Sequence, residues 1–219
     1  AGALDGSRPN PFLQDVHAFV ESLARRGAIN SLAQTLIKLA APGVPDTYQG
    51  GELWDFSMVD PDNRRPIDWA VRRQLLDELR RRFGEAPADR QALAELAAHW
   101  RDGREKLFLT WRTLALRREQ PALFAGGSYV PLQIAGRHAD RLVAFARIAN
   151  GQAAVAVAPR LVSPLLRNGG AIDWADTTVA LPTDRAWRDA LAQRDLGRRN
   201  APLAAELLAD FPVALLSSA

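Results

Sequence analysis

The sequence predicts an α+β protein in which the helical part precedes the β part. Before Pro121, apolar residues recur at helical spacing in several segments. After it, short apolar runs alternate with turn residues, and two of these runs flank Asn150-Gly151, the strongest short signal for a β-hairpin. We therefore divide the chain into 1–122 and 123–219. We expect an antiparallel, sandwich-like β domain in the second part.

The first helix is predicted to begin at Asn10, a good N-cap residue, with Pro11 in the first helical position. A helically spaced apolar stripe follows, and Gly27 is expected to end the helix. The stripe consists of Phe12, Val16, Phe19, Val20 and Leu23.

A second helix is predicted from about Asn30 until Pro42 stops it. One face should bury three leucines, Leu32, Leu36 and Leu39. The other face carries a polar stripe of Asn30, Gln34 and Lys38, four residues apart. Such a stripe is ordinarily a solvated face, but this one leads directly into a long loop.

Other segments are assigned from the same patterns. Helices are expected at 67–83, 89–100, 104–119 and 203–209, and strands at 141–148, 152–158, 177–181 and 211–216. Because proline cannot donate a hydrogen bond to a neighbouring strand, Pro212 is expected near a sheet edge or at the start of the last strand. Residues 44–48 could form a very short strand or an extended turn.

Composition excludes several classes of protein. The 219 residues include no cysteine, so neither a disulfide framework nor a thiolate metal site can form. This agrees with a reducing compartment, and we expect a cytoplasmic protein. No apolar run approaches the roughly 20 residues of a membrane span, and no membrane partner is expected. The chain opens without methionine, which suggests a processed product or a piece of a longer protein.

Charge and histidine positions exclude further partners. The formal net charge is only +3, and arginines are spread along the chain together with acids rather than gathered in one basic stripe. We therefore expect no nucleic-acid partner, and an arginine-rich nucleic-acid binder remains only a minor alternative. His17, His99 and His138 lie far apart, so neither a metal nor a cofactor is expected.

The most informative segment is the loop at 41–54, continued by 60–66. It combines proline and glycine with aromatic, amide, carboxylate and guanidinium side chains. A sugar offers apolar ring faces to aromatic side chains and hydroxyl groups to polar ones. The composition therefore favours a loop that binds a hydroxyl-rich ligand.

Two interpretations of the loop residues remain open. The five carboxylates could supply an acid–base pair or contact a ligand, or they could brace the loop by accepting hydrogen bonds from Arg64, Arg65 and backbone amides. These acids are Asp46, Glu52, Asp55, Asp60 and Asp62. Tyr48 and Trp54 could likewise pack within the protein or stack on a ligand.

The loop also resembles a known family. Residues 42–52 are similar to the segment at the eighth barrel strand of the α-amylase superfamily, and 53–68 are similar to the maltooligosyltrehalose synthases in particular. Weaker similarity to the same enzymes continues through 27–39, 114–117, 121–124, 143–147 and 158–160. Thr47 and Gly51 are mild departures from the pattern.

The resemblance implies that 1–122 is the helical last segment of a (β/α)₈ barrel and that a C-terminal β domain follows. The family converts the reducing-end α-1,4 linkage of a maltooligosaccharide into an α,α-1,1 linkage. The chemistry implied is retaining, with a carboxylate nucleophile and an acid/base carboxyl. Motifs for these groups, expected on earlier barrel strands, do not occur in this chain. We assign no catalytic residue and expect the chain alone to be inactive.

The resemblance also implies site residues and partners. The substrate-binding set is Lys38, Tyr48, Gln49, Glu52 and Trp54, and the loop-bracing set is Asp46, Asp60, Asp62, Asn63, Arg64 and Arg65. The partners would be an α-1,4-glucan and the missing upstream barrel portion of the same polypeptide. Without that portion, we expect the helices to pack on one another and on the β domain, leaving 43–65 partly irregular.

A stand-alone carbohydrate-binding module is the main alternative. Its ligand would lie on exposed aromatic side chains of the β part, for which Trp174 and Trp187 are the candidates. Both tryptophans could instead be packing residues. Titration with maltooligosaccharides would distinguish a module that binds by itself from a broken active site.

Overall fold

The computed structural model describes residues 2–84, 87–166, 172–182 and 185–218. These residues form an α+β fold, as the sequence predicts. The described helices are α1 Pro11–Ala40, α2 Trp69–Phe83, α3 Arg90–Ala98, α4 Arg104–Glu119, α5 Pro121–Ala125 and α6 Ala204–Leu207. The described strands are β1 Ser128–Pro131, β2 Ile134–Ala135, β3 Leu142–Ala149, β4 Gln152–Pro159, β5 Thr178–Val179, β6 Ala186–Asp189, β7 Arg194–Arg198 and β8 Ala214–Ser218.

Helix α1 is one continuous helix where the sequence analysis expects two. Asn10 caps it as predicted, because its Oδ1 accepts a hydrogen bond of 3.2 Å from the Leu13 amide. The prediction that Gly27 ends the first helix is wrong. A glycine inside a helix costs only about 1 kcal/mol relative to alanine, and tertiary packing that begins at Ala28 outweighs this cost.

The two halves of α1 carry their apolar residues on opposite sides of the helix, and only those of the second half are buried. From Ala28 onward, one face packs into the protein, and it includes the predicted Leu32, Leu36 and Leu39. Helical geometry of about 100° per residue places the apolar stripe of the first half on the opposite side. That stripe is largely exposed, with 54% of Phe12 and 63% of Phe19 accessible. The first half of α1 therefore has an uncovered apolar face.

A buried ion pair links α1 to α4. The Arg25 guanidinium donates to Glu105 Oε1 over 2.9 Å, and the Glu105 side chain is fully buried. Glu105 Oε2 has no hydrogen-bond partner among the described residues. Burial raises the pKa of Glu105 to about 7, although Arg25 acts in the opposite direction.

Within the described residues, the main sheet has six strands in the order β1-β3-β4-β8-β6-β7, and every pair is antiparallel. The predicted hairpin is confirmed, with β3 and β4 joined by Asn150 and Gly151. Both residues have positive φ, 51° and 76°, as a type I′ turn requires. Strands β2 and β5 form a separate two-stranded sheet.

The centre of the main sheet is buried on both faces. Side chains alternate along β3 and β4, so that Phe145 and Ala156 pack towards the helices, whereas Ala144 and Val155 pack towards β2, β5 and Trp174. The helix-side core contains residues of α1, α4 and β4 together. The division at 1–122 and 123–219 stays a prediction, as does the sandwich-like description of the second part.

Most other predicted elements are present with shifted ends. Helices α2, α3 and α4 match their predicted ranges closely, and α6 is shorter than its predicted range. The run at 177–181 contributes only β5, and the last strand begins after Pro212. Helix α5 and strands β1, β2, β6 and β7 were not predicted.

Candidate functional site

The candidate site is the loop that joins α1 to α2, residues 41–68. Apart from a short 3₁₀ turn at Asp62–Arg64, it has no regular secondary structure, and 44–48 do not form a strand. Partial irregularity is what the sequence analysis expects for 43–65. The shape of such a loop depends on its attachments to the rest of the protein.

Two buried or half-buried arginines fix the point where the loop leaves α1. Arg117 donates from Nη1 to the Leu39 carbonyl over 2.6 Å, and Arg147 donates from Nη1 to the Ala40 carbonyl over 3.4 Å. Cations are favoured at helix C-termini, where carbonyl groups lack helical partners. Burial lowers the pKa of both arginines. They set the direction in which the chain enters the loop.

Arg72 of α2 holds the middle of the loop. Its Nε donates to Glu52 Oε2 over 3.1 Å, and its Nη2 donates to the Gly50 carbonyl over 3.1 Å. Gly50 has φ of +90°, and a Cβ there would lie 2.9 Å from Ile67 Cδ1. Glycine is therefore favoured at this turn for its backbone conformation, whereas the Ile67 side chain could move away from an added Cβ.

The segment from Trp100 to Lys106, which includes the start of α4, holds the next two loop residues, Leu53 and Trp54. The Trp54 indole N–H donates to the Trp100 carbonyl over 2.6 Å, and Lys106 Nζ donates to the Leu53 carbonyl over 3.1 Å. Gly103, with φ of +79°, lies against the loop backbone: a Cβ there would be 3.0 Å from the Trp54 nitrogen. The loop backbone therefore lies directly against Gly103.

The far part of the loop carries local pairs. Arg64 forms an ion pair with Asp60, and Arg65 forms one with Asp62. Asp62 Oδ2 also accepts the Met58 amide over 2.7 Å. These contacts agree with a bracing role, which stays a prediction because nothing yet measures it.

Asp55 and Asp46 differ in their surroundings. Asp55 accepts the Ser57 amide over 2.9 Å, and this hydrogen bonding to Ser57 lowers the pKa of the carboxyl. Asp46 is exposed. Asn63 Oδ1 is buried and has no partner among the described residues.

The predicted substrate-binding residues fall into two groups. Lys38, Tyr48 and Gln49 are exposed, and Lys38 Nζ donates to Thr47 Oγ1 over 3.0 Å. Glu52 and Trp54 are half-buried and are held by the attachments described above. Their roles towards a ligand stay predictions.

Sequence reasoning missed three residues that shape the loop, Arg72, Gly103 and Lys106. Arg72 lies in an arginine-rich helix, and nothing in the sequence sets it apart from its neighbours. Lys106 could have been singled out, because it and Lys38 are the only lysines of the chain. Among the described residues, no group of three histidines or acids is placed to hold a metal ion.

The aromatic residues proposed for a carbohydrate-binding module are not available to a ligand. Trp174 is 4% exposed and Trp187 is fully buried, so both are packing residues. In the described part of the chain, no helix is long and apolar enough to cross a membrane.

Comparison with known proteins identifies relatives along nearly the whole chain. A Mycobacterium tuberculosis protein provisionally named maltooligosyl trehalose synthase is 36% identical over 215 residues, which are 98% of this chain and 24% of that protein. The same values hold for the protein in a second strain. The chain thus spans about a quarter of the length of these relatives. No protein-family model matches it.

Solved structures agree with the sequence comparison. Maltooligosyltrehalose synthase from Arthrobacter ramosus is 39% identical, with a TM-score of 0.78 over 97% of this chain and 25% of that one. An α-amylase from Geobacillus thermoleovorans is only 16% identical, with a TM-score of 0.51 over 88% of this chain and 33% of that one, and shows likeness of fold alone. The resemblance seen in the sequence is thereby confirmed: the chain is homologous over nearly its whole length to maltooligosyltrehalose synthases and spans about a quarter of theirs.

Proposed function

We propose that this chain is the C-terminal portion of an enzyme that isomerises the reducing-end α-1,4 linkage of maltooligosaccharides to an α,α-1,1 linkage. The observation that carries the proposal is 36–39% identity, over 97–98% of the chain, to proteins named maltooligosyltrehalose synthase. The loop at 41–68 supports it, since its accessible side chains suit a hydroxyl-rich ligand.

The loop would form one wall of the glucan site. Tyr48 exposes 53% of its surface and can stack on a sugar ring, and Gln49 and Lys38 can hydrogen-bond to hydroxyl groups. Glu52 and Trp54 would contact the ligand from fixed positions, because α2 and α4 hold them. The reactive carboxylates would belong to the missing portion of the enzyme, so we propose that the chain alone is inactive.

The distribution of exposed apolar residues supports a missing portion. Of the 16 large apolar side chains that are exposed in the described structure, 10 precede residue 60. Five of them lie in the loop, from Val44 to Val59, and four lie on the uncovered face of α1. Apolar side chains gathered on one exposed helix face and the adjoining loop are typical of an interaction site.

The uncovered face of α1 changes character along its length. Its first half presents Phe12, Val16, Phe19 and Leu23, and helical geometry places the polar stripe of Asn30, Gln34 and Lys38 on the same side. The polar end adjoins the loop. We propose that the apolar end packs against the upstream portion of the polypeptide and that the polar end lies near the glucan.

Reconstitution from two pieces tests this proposal. The chain would be combined with the remaining three-quarters of the Arthrobacter ramosus homologue, and maltohexaose would be the substrate. The expected result is loss of reducing ends without release of glucose, only when both pieces are present. Full activity of the chain alone, or co-purification of the two pieces without any activity, would contradict the proposal.

A matched pair of variants tests the interface. Phe19→Asp places a charge on the uncovered face, whereas Gln14→Asp places one on an exposed position on the opposite side of the same helix. Because both residues are exposed, neither change should alter the free energy of unfolding of the chain by more than about 0.5 kcal/mol. Only Phe19→Asp should prevent association with the complementary piece in size-exclusion chromatography.

A further inference from the structure

Both lysines of the chain contact the same loop. Lys38 donates to Thr47 at one end of it, and Lys106 donates to Leu53 in its middle. Apart from histidine, every other basic residue of the chain is an arginine. The lysine on α4 belongs to none of the predicted site residues, although its surroundings are the more restrictive of the two.

Lys106 occupies a fixed position between the loop and α4. Its Nζ lies 3.1 Å from the Leu53 carbonyl oxygen and 5.7 Å from the centre of the Trp54 ring. The same ring is also held through its indole N–H, which donates to the Trp100 carbonyl. One side chain therefore contacts both the backbone and the aromatic ring of consecutive loop residues.

We propose that Lys106 is a positioning residue that fixes the loop backbone at Leu53 and the ring plane of Trp54. Lys106 lies in the first turn of α4, next to Gly103, whose lack of a side chain lets the loop backbone approach. The inference rests on the proposed function only in what the loop is for, since the contacts belong to the chain itself.

The electrostatic surroundings separate a positioning role from a stabilising one. Burial lowers the pKa of Lys106 and the nearby Lys38 lowers it further, whereas Asp55 and Glu52 act in the opposite direction. A half-buried ammonium such as that of Lys106 contributes little net stability, because the loss of hydration offsets its attraction to its partners. Replacing Lys106 should therefore leave the overall fold unchanged while the loop loses its fixed geometry.

The test follows the Trp54 indole N–H in ¹⁵N-tryptophan NMR spectra of the 219-residue chain. Six tryptophans give six indole signals, and a Trp54→Phe variant identifies the signal of interest. Lys106→Met removes the ammonium and keeps a similar length. Arg118→Met, at an exposed position of the same helix, is the control.

The expected result is selective. In Lys106→Met, exchange of the Trp54 indole proton with water should become about tenfold faster, equivalent to about 1.4 kcal/mol of lost protection. The signal of the buried Trp187 should not change. The thermal unfolding midpoint should fall by no more than about 2–4 °C, because only the Leu53 carbonyl loses its donor. Lys106→Arg, which restores a cationic donor, should return the exchange rate to within about threefold of the parent, and Arg118→Met should change nothing.

Three results would overturn the inference. They are unchanged Trp54 exchange in Lys106→Met, failure of that variant to fold, and failure of Lys106→Arg to restore protection. The measurement uses no glucan and no second polypeptide. Its failure can therefore be told from failure of the reconstitution experiment, which concerns activity alone.

Discussion

The contact between Gly103 and the loop predicts an unusual cost for adding a single methyl group. Gly103 has φ of +79°, and a Cβ there would lie 3.0 Å from the Trp54 nitrogen and 3.2 Å from Leu53 Cβ. Gly103→Ala should therefore meet two separate penalties. One is the left-handed backbone conformation, and the other is overlap with the loop.

Gly151 provides a matched control for the first penalty. Its φ is +76°, close to that of Gly103, but nothing lies within 4 Å of a Cβ built there. Gly151→Ala should cost about 1–2 kcal/mol, the strain of left-handed backbone in a residue with a side chain. Gly103→Ala should cost a further 1–3 kcal/mol or so, as overpacking does in closely packed sites.

Urea denaturation, followed by far-UV circular dichroism, measures both costs. In thermal unfolding, a protein of this size loses about 2–4 °C for each kcal/mol, so Gly103→Ala should melt several degrees below Gly151→Ala. Limited proteolysis should also cleave 43–60 faster in Gly103→Ala alone. Equal destabilisation by the two variants, without a difference in loop cleavage, would refute the packing argument.

Two further predictions concern ionic contacts. Arg72→Met should destabilise the chain by about 1–3 kcal/mol, since it leaves Glu52 and the Gly50 carbonyl without their donor. Arg73→Met, at an exposed position of the same helix, should have little effect. The midpoints of urea denaturation would show the difference, and equal midpoints would contradict it. Burial raises the pKa of Glu105 from an ordinary 4.5 to about 7. The stability that the protonated carboxyl gives the folded chain should therefore be fully present below pH 4.5 and should be lost as the pH rises through 7. Glu105→Gln should flatten this pH dependence in unfolding experiments at pH 5 and pH 8, and an unaltered profile would show that another group causes it.

The fold class and many elements were predictable because they depend on local chemistry. Asn10 caps α1 through its own side chain, and Asn150-Gly151 adopts the positive φ values that a two-residue hairpin needs. The end of α1 was not predictable from Gly27, since the penalty of a helical glycine is small beside tertiary packing. Strands β6 and β7 were missed for a similar reason: the pairing of β6 with β8 and of β7 with β6 supplies an order that their own sequence does not signal.

The sequence by itself determined the composition of the candidate loop, its place after a helix and its resemblance to a family. These properties are written in consecutive residues, whose types and spacing can be compared directly. Only the tertiary structure decided how that loop is held. Arg72, Gly103 and Lys106 reach it from helices 20 to 53 residues further along the chain, and contacts between such distant residues arise from packing, which leaves no periodic signal in the sequence. The same packing decided which face of α1 is buried and which is exposed.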